Sequence, residues 1–201
     1  GVAPVATSAT VHMAKVATTM ASGISHWRFG NINPRVAFAL ACPGAVGAFV
    51  GAVSLTLIPA EFSRPAIAIF LFVLGVSILL RFLRAGTGQD YTSPRRVRRR
   101  FLVIPLAFIA GFFDASGGGG WGPISTSTLM ARGDMEPRRV VGSVDTSEGA
   151  VAVSASIAFI IILGLHGFNF VWVGALMVGG VIAAPIAAWL VTKLPAYLLG
   201  I

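Results

Sequence analysis

Four consecutive glycines, Gly117, Gly118, Gly119 and Gly120, interrupt an otherwise membrane-like apolar run, and no other stretch restricts the fold as strongly. They lie within Gly-Phe-Phe-Asp-Ala-Ser-Gly-Gly-Gly-Gly-Trp-Gly-Pro, residues 111–123, with apolar half-segments at 101–113 and 124–131. The first half-segment spans roughly 20 Å as helix, short of the roughly 30 Å of a bilayer core. Each glycine costs a helix about 1 kcal/mol against alanine, so four in a row unwind it. Pro123 has no N–H and suits the first turn of a new helix. The expected element is a helix, an unwound loop and a second half-helix whose free N–H groups face the loop. Irregular backbone at membrane depth is tolerated where it lines a cavity or is buried in protein. Half-helix N-termini favour anions, which makes this loop the candidate substrate site.

The rest of the chain places the loop in a membrane. Of its 201 residues 56% are hydrophobic and 11% charged, against roughly 25% charged in soluble domains. The mean hydropathy of +0.85 agrees. The expected fold is all-α, a polytopic transmembrane helical bundle. The net charge of +8 is concentrated rather than spread: Arg84, Arg95, Arg96, Arg98, Arg99 and Arg100 surround one connecting stretch. By the positive-inside rule this is a cytoplasmic loop, so its partner is anionic membrane lipid and no nucleic acid is expected. Cys42 is the single cysteine, which excludes an intrachain disulfide and a thiolate metal site. No cofactor is called for. The chain starts at Gly1 without methionine, and a missing front piece is expected.

In chain order, residues 2–27 form an apolar segment rich in Ser, Thr, His and one Lys, which faces the bundle interior or a wet cavity. A turn at 28–35 precedes a helix at 36–58 carrying Gly47-x-x-x-Gly51, a face that lets two helices approach closely. Residues 59–65 read as a turn and 66–83 as a lipid-facing helix. After the broken segment and a connector at 131–139, residues 140–163 form a helix with a polar start. Residues 171–192 form another, repeating the small-residue pattern at Ala183-x-x-x-Ala187.

The two halves look alike. Val5-Ala6-Thr7-Ser8 precedes Val140-Val141-Gly142-Ser143 by 135 positions, and Gly47-x-x-x-Gly51 precedes Ala183-x-x-x-Ala187 by 136. Internal repeats of this kind mark secondary transporters. The division expected is 1–84 as the C-terminal part of a first repeat, 85–100 as the basic cytoplasmic loop, and 101–201 as a second repeat lacking its last helix. One glycine loop is expected to be missing from the first half. If residues 101–131 form a re-entrant hairpin, the charges fall on one side and the halves are inverted; a full crossing makes them parallel. The inverted arrangement is preferred.

At this point the sequence resembles the sulfite exporter TauE/SafE family of membrane permeases. The residues that carry the resemblance are the glycine loop, Pro137-Arg138, and Gly142-Ser143-Val144 with Ser147-Glu148. In the first half they are Ala6-Thr7-Ser8 and His26-x-Arg28-x-Gly30-Asn31-Ile32. The resemblance implies transport of small sulfur-containing anions or organic acids by carriers built from two related halves.

The candidate substrate-binding residues are Gly117, Gly118, Gly119, Gly120, Trp121, Ser8, Ser143 and Lys15. Lys15 supplies positive charge near the midplane, or else snorkels or pairs structurally with Asp145 or Glu148. Asp114 relays protons, or caps the loop's own N–H groups. Asp145 and Glu148 share a helix face and couple to protons or a cation, or else cap the helix start. His12, one turn before Lys15, is a proton-linked partner or a core histidine bonded to a backbone carbonyl. Ser8 and Ser143 bind substrate oxygens, or bond across helices. Trp121 shapes the loop or is plain packing. Nucleotide P-loop, zinc-protease and nucleophile-elbow motifs are absent from the sequence, so an enzyme is not expected.

The expected function is a permease for sulfite or organosulfonates, driven by protons or membrane potential, in a bacterial inner (plasma) membrane. The alternatives are a carrier of another small organic acid and a non-transporting membrane scaffold. Monomer and homodimer both stay open.

Overall fold

The computed structural model describes residues 4–84, 103–117, 119–132 and 135–195. Over these the chain is all-helical, with no strand. The helices are α1 (Pro4–Arg28), α2 (Pro34–Leu57), α3 (Ala60–Arg84), α4 (Val103–Gly117), α5 (Trp121–Arg132), α6 (Pro137–Leu163) and α7 (Phe170–Lys193). A 3-10 turn, Leu165–Gly167, precedes α7. The basic loop expected at 85–100 and the glycine at 118 lie outside the described residues.

Among the described residues, four stretches are long and apolar enough to cross a membrane: α2, residues 60–77 of α3, α6 and α7. The broken helix takes the expected form. α4 has 15 residues and α5 has 12, so each extends only roughly 20 Å, with Gly119 and Gly120 non-helical between them. α1 has the length to span but not the apolarity, and it turns its polar groups inward. Ser8, Thr10, His12, Thr19, Ser25 and His26 are all buried.

Chemistry at the helix starts sets the boundaries. Pro34 and Pro137 occupy the first turns of α2 and α6, where no N–H is needed. Asn169 caps α7, its side chain accepting from the Trp172 N–H at 3.2 Å.

α6 lies against α1, α2 and α5, while α2 is held between α4 and α6 and α7 rests on α1. The α2–α4 approach depends on missing side chains. A Cβ at Gly47 or Gly51 would land on the Phe108 or Phe112 carbonyl, and one at Gly111 on the Gly44 carbonyl. The Gly47-x-x-x-Gly51 face is thus a helix contact, as its spacing implies. The core beneath it contains Trp121, Phe159, Leu40, Val140 and Val151 amid buried alanines. α3 stands at the edge, largely exposed, touching α4 where Phe70 stacks on Phe113 with ring centroids 4.4 Å apart.

Two sequence expectations differ from the structure. Residues 59–65 are not a turn, because α3 starts at Ala60 and runs through Pro65. Proline there removes a single bond, to the Glu61 carbonyl, and the helix tolerates it near its start. Ala183 and Ala187 are exposed, whereas Ala184 and Ala188 are buried and Gly180 abuts Thr18 of α1. The contact stripe on α7 is therefore shifted by one position from the expected pair.

Candidate functional site

The break between α4 and α5 creates the site. The first N–H groups of any α-helix lack intrahelical acceptors. Here Asp114, three residues before the end of α4, supplies one: its Oδ1 accepts from Gly120 N at 3.0 Å and Trp121 N at 3.2 Å. Asp114 is 1% exposed. Asp114 thus makes a capping contact to the N–H groups at the start of α5.

α1 brings two more groups to the same carboxylate. Lys15 Nζ donates to both Asp114 oxygens at 3.2 Å. His12 Nε2 stands 3.1 Å from Asp114 Oδ2, and the His12 ring is fully buried. The two residues lie three apart on one helix face, so a single stretch of α1 delivers both. Glu148 of α6 completes the cluster, its Oε1 lying 2.7 Å from Lys15 Nζ. Lys15 thus bridges two carboxylates from two other helices, and Glu148 rather than Asp145 is its α6 partner.

The far side of His12 is equally committed. Nδ1 lies 2.9 Å from the Ser8 carbonyl, one turn back. The Ser8 hydroxyl donates to the Ala115 carbonyl at 2.7 Å, tying α1 to the last turn of α4. Trp121, fully buried, donates from Nε1 to the Val144 carbonyl at 2.9 Å and so fixes α5 to α6.

Not every expected residue joins this cluster. Ser143 sits elsewhere, accepting from Asn33 N at 2.8 Å and donating to the Arg139 carbonyl at 2.6 Å. It holds the α1–α2 turn against α6. Asp145 accepts from the Ser22 hydroxyl and lies 3.6 Å from His26 Nε2, away from Lys15. Sharing a helix face with Glu148 did not give it the same partners. Gly117 faces Phe70, Gly119 has open space where a side chain would stand, and Gly120 is pressed against Phe113 and Asp114.

A second polar set lies outside the residues expected to form the site: His26 and Asn31, both buried, with Ser22, half-buried. Asn31 Nδ2 donates to the Ala188 carbonyl at 3.1 Å and lies 3.2 Å from His26 Nδ1. Gly142 of α6 permits this loop to approach, since a Cβ there would strike the Asn31 backbone. The signal was the pattern His26-x-Arg28-x-Gly30-Asn31, three polar residues and a glycine at a turn between apolar helices. Nearby, a groove of about 460 Å³ runs between α1 and α6, lined by Thr19, Gly23, Trp27, Arg28, Thr146 and Gly149 among others. It starts one turn beyond Lys15 and adjoins Glu148 in sequence. Among the described residues no group of three His, Cys, Asp or Glu side chains is placed to hold a metal ion.

Comparison with known proteins agrees with this architecture. The family model described as Sulfite exporter TauE/SafE matches residues 1–201. The chain is 48% identical over 204 residues to the probable membrane transporter protein YtnM of Bacillus subtilis, covering 100% of this chain and 67% of that protein. It is 28% identical over 199 residues to the probable membrane transporter protein YdhB of the same organism, covering 98% of this chain and 79% of that protein. No solved structure matches the chain. The chain belongs to the TauE/SafE family of integral membrane transporters, which is not a class of enzymes.

Proposed function

We propose that this member of the TauE/SafE family forms the core of a secondary carrier for small sulfur-containing oxyanions, sulfite or an organosulfonate. The observation that carries the reading is the α4–α5 break, where two backbone N–H groups, a lysine and a histidine converge on one buried carboxylate. An SO3-type oxyanion needs several donors from different directions, and this set supplies them in a low-dielectric setting where charge-assisted bonds are strong. The anion would take the N–H groups of the glycine loop, residues 117–120, and of Trp121, with Lys15 as counter-charge. Ser8 orders the loop through Ala115, and Ser143 supports the opposite turn. His12, Asp114 and Glu148 handle a coupling proton, and Asp145 acts with His26.

We place the protein in a bacterial inner membrane with the arginine-rich stretch 84–100 cytoplasmic. The halves are inverted, α4 and α5 form a re-entrant hairpin, and alternating access arises as the two halves rock about the break. The packing supports two interlocked halves: α1 rests on α7, and α6 rests on α2.

The test is flux of sulfite and of organosulfonates in proteoliposomes, with the complete native protein beside this 201-residue chain. Saturable flux that disappears in Lys15→Ala and Gly119→Leu is the expected result. Flux of a carboxylic acid but no sulfur oxyanion would reassign the substrate. No flux of either by folded protein would favour a scaffold, in which the same polar groups only join helices.

A further inference from the structure

We propose that Asp114 is a tethered competitor of the transported anion, released from the α5 N-terminus only when a proton passes to it from His12. The inference rests on the carrier reading above and concerns how the same site is controlled.

The argument starts from donors. Asp114 already accepts from the Gly120 and Trp121 N–H groups, from Lys15 and from the His12 side. These are the donors an incoming oxyanion requires. An anion cannot take them while a charged carboxylate, held to the end of α4 by covalent bonds, occupies them at very high effective concentration.

The hydrogen count supplies the release. His12 Nδ1 faces the Ser8 carbonyl at 2.9 Å, which can only accept, so Nδ1 carries a hydrogen. The Ser8 hydroxyl hydrogen is directed to the Ala115 carbonyl at 2.7 Å and cannot serve instead. Nε2 faces a carboxylate oxygen at 3.1 Å, and a hydrogen must lie between those atoms as well. The pair therefore holds one proton more than a neutral imidazole and a carboxylate provide. The charged and titratable groups facing it are Lys15 on α1 and Glu148 on α6. With the extra proton the four side chains sum to zero charge; without it they carry one net negative charge and repel an anion.

In the step, the Nε2–H bond of His12 breaks and an O–H bond forms on Asp114 Oδ2. The electron pair left on Nε2 accepts a hydrogen bond from the new O–H, and Nδ1–H stays on the Ser8 carbonyl. The carboxyl, now neutral, holds the Gly120 and Trp121 N–H groups far less strongly, and the anion displaces it. Proton and anion then occupy the carrier together, so the site itself links the two fluxes.

The experiment is calorimetric binding of methanesulfonate, whose own charge is constant across the range, to the complete native protein from pH 5 to 9. Expected is an affinity that falls about tenfold per pH unit on the alkaline limb. Infrared difference spectra should show a protonated carboxyl appearing on binding. Asp114→Asn, neutral and of the same shape, should bind with no such pH dependence and without that band. If this variant fails to fold, His12→Gln, which leaves the carboxylate on its N–H groups, should displace the midpoint of the pH curve. Wild-type affinity that stays level across the range, or a His12→Gln midpoint that does not move, overturns the inference and leaves the carrier standing. Absence of binding for methanesulfonate and for sulfite at every pH removes the carrier reading and this inference with it.

Discussion

Lys15 of α1 and Asp114 of α4 meet with the lysine nitrogen 3.2 Å from both carboxylate oxygens, joining residues 99 positions apart at the point where α4 gives way to α5. The contact is between a nearly fully buried carboxylate and a lysine that also holds Glu148. Breaking one partner of such a group leaves charge uncompensated in a low-dielectric setting, which costs more than the intact pair contributes.

Lys15→Ala is therefore expected to lower stability by about 3 kcal/mol, through two carboxylates left without their cation. Thermal unfolding in detergent measures this. The double variant Lys15→Ala with Glu148→Gln should recover part of the loss, because one stranded charge is gone. A double variant as unstable as the sum of its singles would show that Glu148 and Lys15 do not act as a pair.

The glycines of the break should differ from one another. Gly119 has open space about it, so Gly119→Leu is expected to fold normally while reducing flux. Gly120→Leu meets Phe113 and Asp114 and should destabilise by about 1–3 kcal/mol, or prevent folding. Equal yield and melting temperature for the two variants would contradict the local geometry.

Trp121→Phe keeps most of the ring but loses the Nε1 bond to the Val144 carbonyl, which retains only the Ser147 hydroxyl as a side-chain donor. A loss of about 1–2 kcal/mol is expected, whereas Trp121→Ala should cost about 3–5 kcal/mol through the cavity it opens. Chemical denaturation of the two side by side checks the ordering.

Ser143 braces the α1–α2 turn and lies outside the Asp114 cluster. Ser143→Ala should cost about 1 kcal/mol in stability and leave the apparent KM for transport unchanged. A tenfold rise in KM with unchanged stability would move substrate contact to this residue.

Much of the fold was legible before any coordinates. Apolar runs of spanning length placed α2, α6 and α7 to within three residues, and four glycines marked the break between α4 and α5. Gly47 and Gly51 announced their contact by spacing alone. Elsewhere periodicity was ambiguous. In α7 nearly every residue is apolar or small, so no polar face fixes the rotation of the helix. The buried stripe lay at Ala184 and Ala188 rather than one position earlier. Pro65 read as a turn because proline usually ends a helix, yet near a helix start the lost bond is tolerated.

The site shows the same division. Sequence by itself determined that the chain is a helical membrane protein, that one helix breaks at its glycine run, and that the polar side chains of residues 2–27, His12 and Lys15 among them, turn to the bundle interior or a wet cavity. Lipid offers them no partner, so each is obliged to find one within the protein. Which partners they find was decided by tertiary structure. Asp145 and Glu148 are one turn apart and chemically alike, but the packing of α1 against α6 sends one toward Ser22 and the other toward Lys15. Asp114 meets His12, 102 residues away, because glycine contacts hold α4 against α2 while α1, packed on α6, also touches α4. Separations of that size leave no periodic trace along the chain, since the pairing depends on how three helices stack and not on the spacing within any one of them.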